Sequence, residues 1–237
     1  MAVRLTVIGS SPAWPNPGSA QSGYLVHDGE GTGSLLLDCG PGVLGRLRQN
    51  GPLAVDAVAI THFHLDHWGD LVPWAWLSFF GEAGKQPELW LPPGGLEQLA
   101  TFASFWGNPN MFDSCFHPRE YRPGEPFTAA GFSVEARLVP HYTLQAFGFR
   151  VSHGGRTLAY SGDSGPGEKL AELAKGADLF LCEATLATPD RDGPPRGHLT
   201  AGEAEAAADG RMLLTHRPIE LSDPGHDVAW DGLVVEV

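Results

Sequence analysis

Five times in this chain an apolar run of the kind that forms a buried strand leads to a side chain able to bind a cation. Leu35-Leu36-Leu37 leads to Asp38, and residues 54–60 (Val55, Val58, Ile60) lead through Thr61 to His62. Residues 134–140 lead to His141, Leu158-Ala159-Tyr160-Ser161-Gly162 to Asp163, and Leu213-Leu214-Thr215 to His216. Polar groups at the ends of several buried strands are how a layered fold assembles a site along one edge. Taken singly, a histidine after a strand is most often a satisfied polar residue, and Asp38 has helix capping as a second reading. The repetition is what argues for a site.

The densest of the five is Thr61-His62-Phe63-His64-Leu65-Asp66-His67. In extended backbone, alternate residues point the same way, so His62 and His64 converge on one ion. Asp66 and His67 come after the chain turns and face a second ion beside it. Imidazole nitrogen and carboxylate oxygen are the donors that zinc accepts. Cys39, Cys115 and Cys182 are odd in number, widely spaced and without a C-x-x-C pair. That argues against a disulfide framework or a thiolate zinc site and for buried apolar thiols.

The periodicity predicts strands at 4–8, 54–60, 88–91, 132–139, 147–152, 157–161, 179–183, 211–215 and 233–237, and a hairpin pair at 23–27 and 33–38. It predicts helices at 42–49, 167–175 and 200–209, the last opened by the capping-box pattern Thr200-Ala201-Gly202-Glu203 and stopped by Gly210. Hairpins mixed with strand–helix alternation call for two sheets with helices outside. Without a repeat, linker or low-complexity tract, residues 1–237 read as one α/β domain.

With 42% hydrophobic and 18% charged residues the chain is of globular composition. It has no run of about 18 apolar residues to span a membrane. The opening Met1–Gly9 holds only a short strand rather than a secretion signal, so a cytoplasmic protein is expected. A net charge of −13 without a Lys/Arg cluster disfavours extended nucleic acid as a partner.

His62-Phe63-His64-Leu65-Asp66-His67 resembles the H-x-H-x-D-H motif of the metallo-β-lactamase superfamily. The resemblance runs over nearly the whole chain, since Asp38, the motif, His141, Asp163 and His216 fall in that superfamily's order. Leu37-Asp38-Cys39-Gly40-Pro41-Gly42 and Gly197-His198-Leu199-Thr200-Ala201 are similar to loops of its ribonuclease Z-like branch. Val7-Ile8-Gly9-Ser10-Ser11, Tyr160-Ser161-Gly162-Asp163-Ser164 and Leu181-Cys182-Glu183-Ala184 look most like bacterial cyclic-nucleotide phosphodiesterases of that branch.

The resemblance implies a four-layer αββα sandwich, two mixed β-sheets flanked by helices. It implies two divalent metal ions, zinc first, with manganese or iron as the other candidates. His62, His64 and His141 would bind one ion, Asp66, His67 and His216 the other, and Asp163 would bridge them. Asp38 would support a ligating histidine. Asp66 would orient the attacking water, and His198 would give a proton to the leaving oxygen or stabilise its charge. The implied reaction is hydrolysis of a small phosphodiester, a cyclic nucleotide first, by a hydroxide held between the ions. A homodimer is the expected assembly.

Two departures bear on the substrate. Bacterial ribonuclease Z inserts a tRNA-gripping arm between the positions of His141 and Asp163, and residues 142–162 leave room only for two strands and a Gly154-Gly155 turn. After His216 the chain has room for a last strand but not for the helix usual in relatives. The competing readings are a ribonuclease Z-type tRNA 3′-processing endonuclease, a thioester, lactone or sulfate-ester hydrolase, and a non-catalytic metal-binding protein. The aromatics of residues 73–115 read as core or dimer interface, or as a stacking wall for a nucleobase. His226 reads as solvent-facing.

Overall fold

The computed structural model describes residues 3–29, 31, 33–49, 53–81 and 84–237. Met1 and Ala2 of the opening segment lie outside the described residues. The first sheet holds β1 (Val3–Gly9), β2 (Gly23–Asp28), β3 (Ser34–Leu37), β4 (Ala57–Ala59), β5 (Glu88–Leu91), β6 (His117–Glu120) and β13 (Val234–Glu236), in the order β13-β1-β2-β3-β4-β5-β6. The second holds β7 (Phe127–Ala129), β8 (Phe132–Val139), β9 (Ala146–His153), β10 (Arg156–Tyr160), β11 (Leu179–Glu183) and β12 (Met212–Thr215), in the order β12-β11-β10-β9-β8-β7. Both sheets are mixed: β3 to β6 run parallel, as do β10 to β12, and the remaining pairs are antiparallel.

The alternation in β1 shows how one sequence pattern sets the layers. Val3, Leu5 and Val7 are buried while Arg4, Thr6 and Ile8 face the other way. The buried set meets Tyr24, Leu35 and Leu37 from its own sheet and Phe147, Phe149, Leu158 and Leu181 from the other, forming the core between the sheets. Each such leucine or phenylalanine contributes about 1.5–3 kcal/mol by leaving water. β4 and β11 are buried on both faces because helices cover the outer sides.

Outside the first sheet, α1 (Val43–Arg48), α3 (Leu71–Phe80) and α4 (Gly95–Ser104) pack on Leu36, Val58, Ile60 and Leu89, with the one-turn α2 (Leu65–Trp68) beside them. Outside the second, α5 (Glu168–Ala174) and α6 (Ala201–Ala207) pack on Ala159, Phe180, Cys182 and Leu214. The layers are helix, sheet, sheet, helix, as expected.

α6 begins as its sequence predicts: Glu203 N donates to the Thr200 hydroxyl and the Glu203 carboxylate accepts from Thr200 N. The strand expected over 54–60 is shorter, Ala57–Ala59, with Asp56 N donating to Ser34 O at 3.0 Å and Ile60 N to Trp90 O at 2.9 Å at its two ends. α2, α3, α4, β6 and β7 had no expectation behind them. β13 closes the first sheet beside β1, with Leu5 paired to Val235, and no helix lies between β12 and β13. His226 is half-buried rather than solvent-facing, its Nε2 3.4 Å from Glu205. Among the described residues no helix is long and apolar enough to cross a membrane.

Candidate metal centre

All five predicted strand-end residues arrive at one edge. Asp38 follows β3, His62 follows β4, His141 follows β8, Asp163 follows β10 and His216 follows β12. One-turn α2 swings Asp66 and His67 back toward His62, since His67 N donates to His64 O at 3.0 Å. The turn at 38–42 packs tightly beneath it: a Cβ on Gly40 would stand 1.9 Å from the Asp66 carbonyl oxygen, so only glycine fits.

Two sets of donors that share Asp163 form there, one of His62, His64, His141 and Asp163 and one of Asp66, His67, His216 and Asp163, and Glu183, His198 and His216 form a third group beside them. In the first, His64 Nδ1 lies 3.0 Å from His141 Nε2, and His62 Nε2 lies 3.8 Å from Asp163 Oδ2. In the second, His216 Nε2 is 3.0 Å from Asp66 Oδ2, His67 Nε2 is 3.3 Å from the same oxygen and 3.2 Å from Asp163 Oδ1, and His216 Nε2 is 3.5 Å from Asp163 Oδ1. Donors about 2.0–2.2 Å from a tetrahedral ion stand roughly 3.3–3.6 Å from each other, so the second set is near that spacing. His62 Nε2, His67 Nε2 and Asp163 Oδ1 are buried without a hydrogen-bond partner, which is costly unless a cation takes their lone pairs. The donor set and its orphaned atoms both fit a metal ion.

The far nitrogens are tied down. His67 Nδ1 donates to Asp38 Oδ2 at 2.7 Å, and His141 Nδ1 donates to the Gly197 carbonyl at 2.7 Å. His216 Nδ1 lies 2.9 Å from the Thr185 hydroxyl and His62 Nδ1 3.0 Å from the Thr61 hydroxyl. Fixing Nδ1–H on His67 and His141 leaves Nε2 free to ligate. Asp38 also accepts from Thr61 N at 2.8 Å and from the Tyr160 hydroxyl at 2.8 Å. Asp38 does not cap the helix that follows it. Asp70 accepts from Leu44 N at the start of α1, whereas Asp38 supports His67. Asp38 and His216 are two of four non-glycine residues with positive φ, at 58° and 52°, among the described residues. Such conformations persist only where the surroundings enforce them.

Charge follows geometry. Burial pushes the Asp163 carboxyl up, but His216 and His67 beside it more than offset this and hold it well below the usual carboxylate range. Burial, with the neighbouring His67, pushes His62 down and keeps it neutral. His198 is no member of the two sets. Its Nδ1 donates to Glu183 Oε1 at 2.8 Å and stands 3.9 Å from Asp163 Oδ2. Burial pulls His198 down, yet the Glu183 carboxylate raises it to about 9, so it carries a proton at neutral pH.

Sequence reasoning assigned no role to Glu183, Thr61, Thr185 or Tyr160. Glu183 could have been found by the rule that found the others, since it ends the apolar strand β11. Its oxygens accept from Ser164 N, Thr185 N and Leu199 N besides His198, so it anchors His198. The aromatic segment divides. Trp74 packs against Phe116 in the core, whereas Phe102 and Phe105 line an apolar cavity of about 480 Å³ with Phe63 and Trp68.

Two mixed sheets between helical layers, with this His/Asp cluster at one edge, define the metallo-β-lactamase fold. Residues 34–216 match the family model described as β-lactamase superfamily domain, and the chain belongs to that superfamily. It is 38% identical over 230 residues to an uncharacterised protein of Mycobacterium leprae (strain TN), covering 92% of this chain and 78% of that one. It is 30% identical over 225 residues to the probable metallo-hydrolase YhfI of Bacillus subtilis (strain 168), covering 91% and 87%. The crystal structure of that YhfI superposes with a TM-score of 0.84 over all of both chains, at 26% identity. The ribonuclease Z of Mycobacterium bovis (strain BCG / Pasteur 1173P2) is 26% identical over 258 residues, 98% of this chain and 91% of that one.

Proposed function

We propose that the protein is a dinuclear metal-dependent phosphodiesterase that cleaves a small phosphodiester, with a cyclic nucleotide as the first candidate. The observation that carries this reading is Asp163, whose Oδ2 faces His62 while its Oδ1 faces His67 and His216. A carboxylate so placed would be shared by both donor sets. His62, His64 and His141 would hold one and Asp66, His67 and His216 the other. Two divalent cations bound there supply Lewis acidity and an activated water for in-line attack on phosphorus.

The chain's own groups do the rest. Asp66, pulled low despite burial by His67 and His216, stays ionised and orients the attacking water. His198, held by Glu183 and protonated, delivers its proton to the departing oxygen. After giving that proton up, His198 is recharged from solvent, since it is not fully buried.

A small substrate is favoured over tRNA because β9 and β10 form a plain hairpin through Gly154-Gly155, and because the net charge is −13. The test is hydrolysis of bis-p-nitrophenyl phosphate, 3′,5′-cyclic AMP and a tRNA precursor, with and without added Zn²⁺ or Mn²⁺. Metal-dependent cleavage of the two small esters alone supports the reading. Cleavage of the tRNA at its 3′ end replaces it with the endonuclease, and cleavage of none moves the assignment to a thioester or lactone.

A further inference from the structure

We propose that Tyr142 is the platform on which a planar ring of the leaving group rests, so that the favoured substrates are phosphodiesters whose departing side carries a nucleobase or another aryl ring. This rests on the phosphodiesterase reading above and narrows it.

Tyr142 directly follows a residue of the metal centre. His141 is buried, and the chain then emerges in an exposed turn, 142–145, closed by Leu144 N donating to His141 O at 3.0 Å. Tyr142 has φ 50°, a left-handed backbone that a bulky side chain rarely adopts. An outlier of this kind at a site's edge points to a demand on where the side chain goes.

The ring goes to the mouth of the centre. Its centroid lies 4.9 Å from that of His141 and 5.6 Å from that of His198, nearly perpendicular to the latter at 80°. The backbone is shaped to receive it. A Cβ on Gly197 would stand 2.3 Å from the ring, so glycine alone allows the ring to lie down against the chain there. That same Gly197 accepts from His141 Nδ1, and Asp192 accepts from both Gly197 N at 2.7 Å and His198 N at 3.0 Å. One small frame therefore fixes the ring, one ligating histidine and the proton-donating histidine together.

Backed by Gly197 and edged by two imidazoles, Tyr142 nevertheless stays 41% exposed. The ring stands beside His198, the proposed proton donor to the departing oxygen. What it offers a ligand is an aromatic face, which attracts flat π systems with little regard to which base they are.

The test is calorimetric binding of adenosine 5′-monophosphate and of ribose 5-phosphate to the metal-loaded protein, in wild type, Y142A, Y142N and Y142W. Asn is at ease at positive φ, so Y142N removes the ring without straining the turn. Adenosine monophosphate should bind wild type and Y142W tightly and should lose roughly 5–150-fold in Y142A and Y142N, the range for one stacked base. Ribose 5-phosphate should change less than about twofold, because phosphate contacts are untouched. Equal weakening of both ligands, or no weakening of either, overturns the platform. Bis-p-nitrophenyl phosphate turnover, measured in parallel, separates the two claims. Wild-type turnover with unaltered nucleotide selectivity in Y142N removes only the platform, whereas no turnover and no binding of either phosphate removes both.

Discussion

The two sheets supply the centre in different ways. The first delivers His62, His64, Asp66 and His67 from one six-residue stretch, folded over by the single turn of α2. The second delivers His141, Asp163 and His216 one at a time, from the ends of three strands that are far apart in sequence. The compact half is held by local backbone bonds such as His67 N to His64 O. The dispersed half is held by the sheet itself, so its geometry is only as good as the packing of β8, β10 and β12. Asp163 is where the halves meet, because it belongs to both donor sets.

The largest effect should come from cutting that join. In D163A both sets lose a member, and turnover should fall by about 10⁴-fold or more, beyond the loss from any single proton donor. Metal analysis of the purified variant should show both ions depleted. If one ion stays tightly bound, the two halves are more independent than the shared carboxylate implies. Next comes H198A, expected to cost about 10²–10⁴-fold in rate with metal content unchanged if, as proposed, His198 acts as the proton donor and not as a ligand. Metal loss in H198A would make it a ligand and redraw the dispersed half.

The contrast also explains what could be read from the residues alone. His62 to His67 announce themselves because all four donors share one local segment after a buried strand. His141, Asp163 and His216 were legible only through a recurring context and a family resemblance, as nothing local marks them as neighbours. Glu183 shows the limit of that context. It ends β11 like the others, yet whether a strand-end carboxylate serves an ion or a histidine depends on which N–H groups meet it in three dimensions. The left-handed turn at Tyr142 is likewise a property of the folded loop. The sheets were legible where alternation or apolar runs were strong, as at 88–91, 132–139 and 179–183. β6, His117–Glu120, escaped because its largely exposed, polar residues carry no such pattern.

Smaller changes sharpen the comparison within each half. D38N should weaken metal binding by about 10–100-fold, because His67 loses the charged acceptor that fixes its ring. Competition with a chromophoric chelator measures this, and an unchanged affinity would mean that Thr61 and the packing around His67 suffice. T200A removes the capping box of α6 on the dispersed side and should cost about 1 kcal/mol of stability. That corresponds to a melting-temperature drop of about 2–4 °C by calorimetry for a chain of this size.

The most direct test of the shared centre is stepwise addition of Zn²⁺ or Mn²⁺ to chelator-stripped protein, with metal uptake and bis-p-nitrophenyl phosphate turnover followed together. Uptake should saturate at two equivalents per chain, with turnover rising to its plateau only as the second is taken up. Saturation at one equivalent with full turnover would contradict a centre built on two ions joined through Asp163.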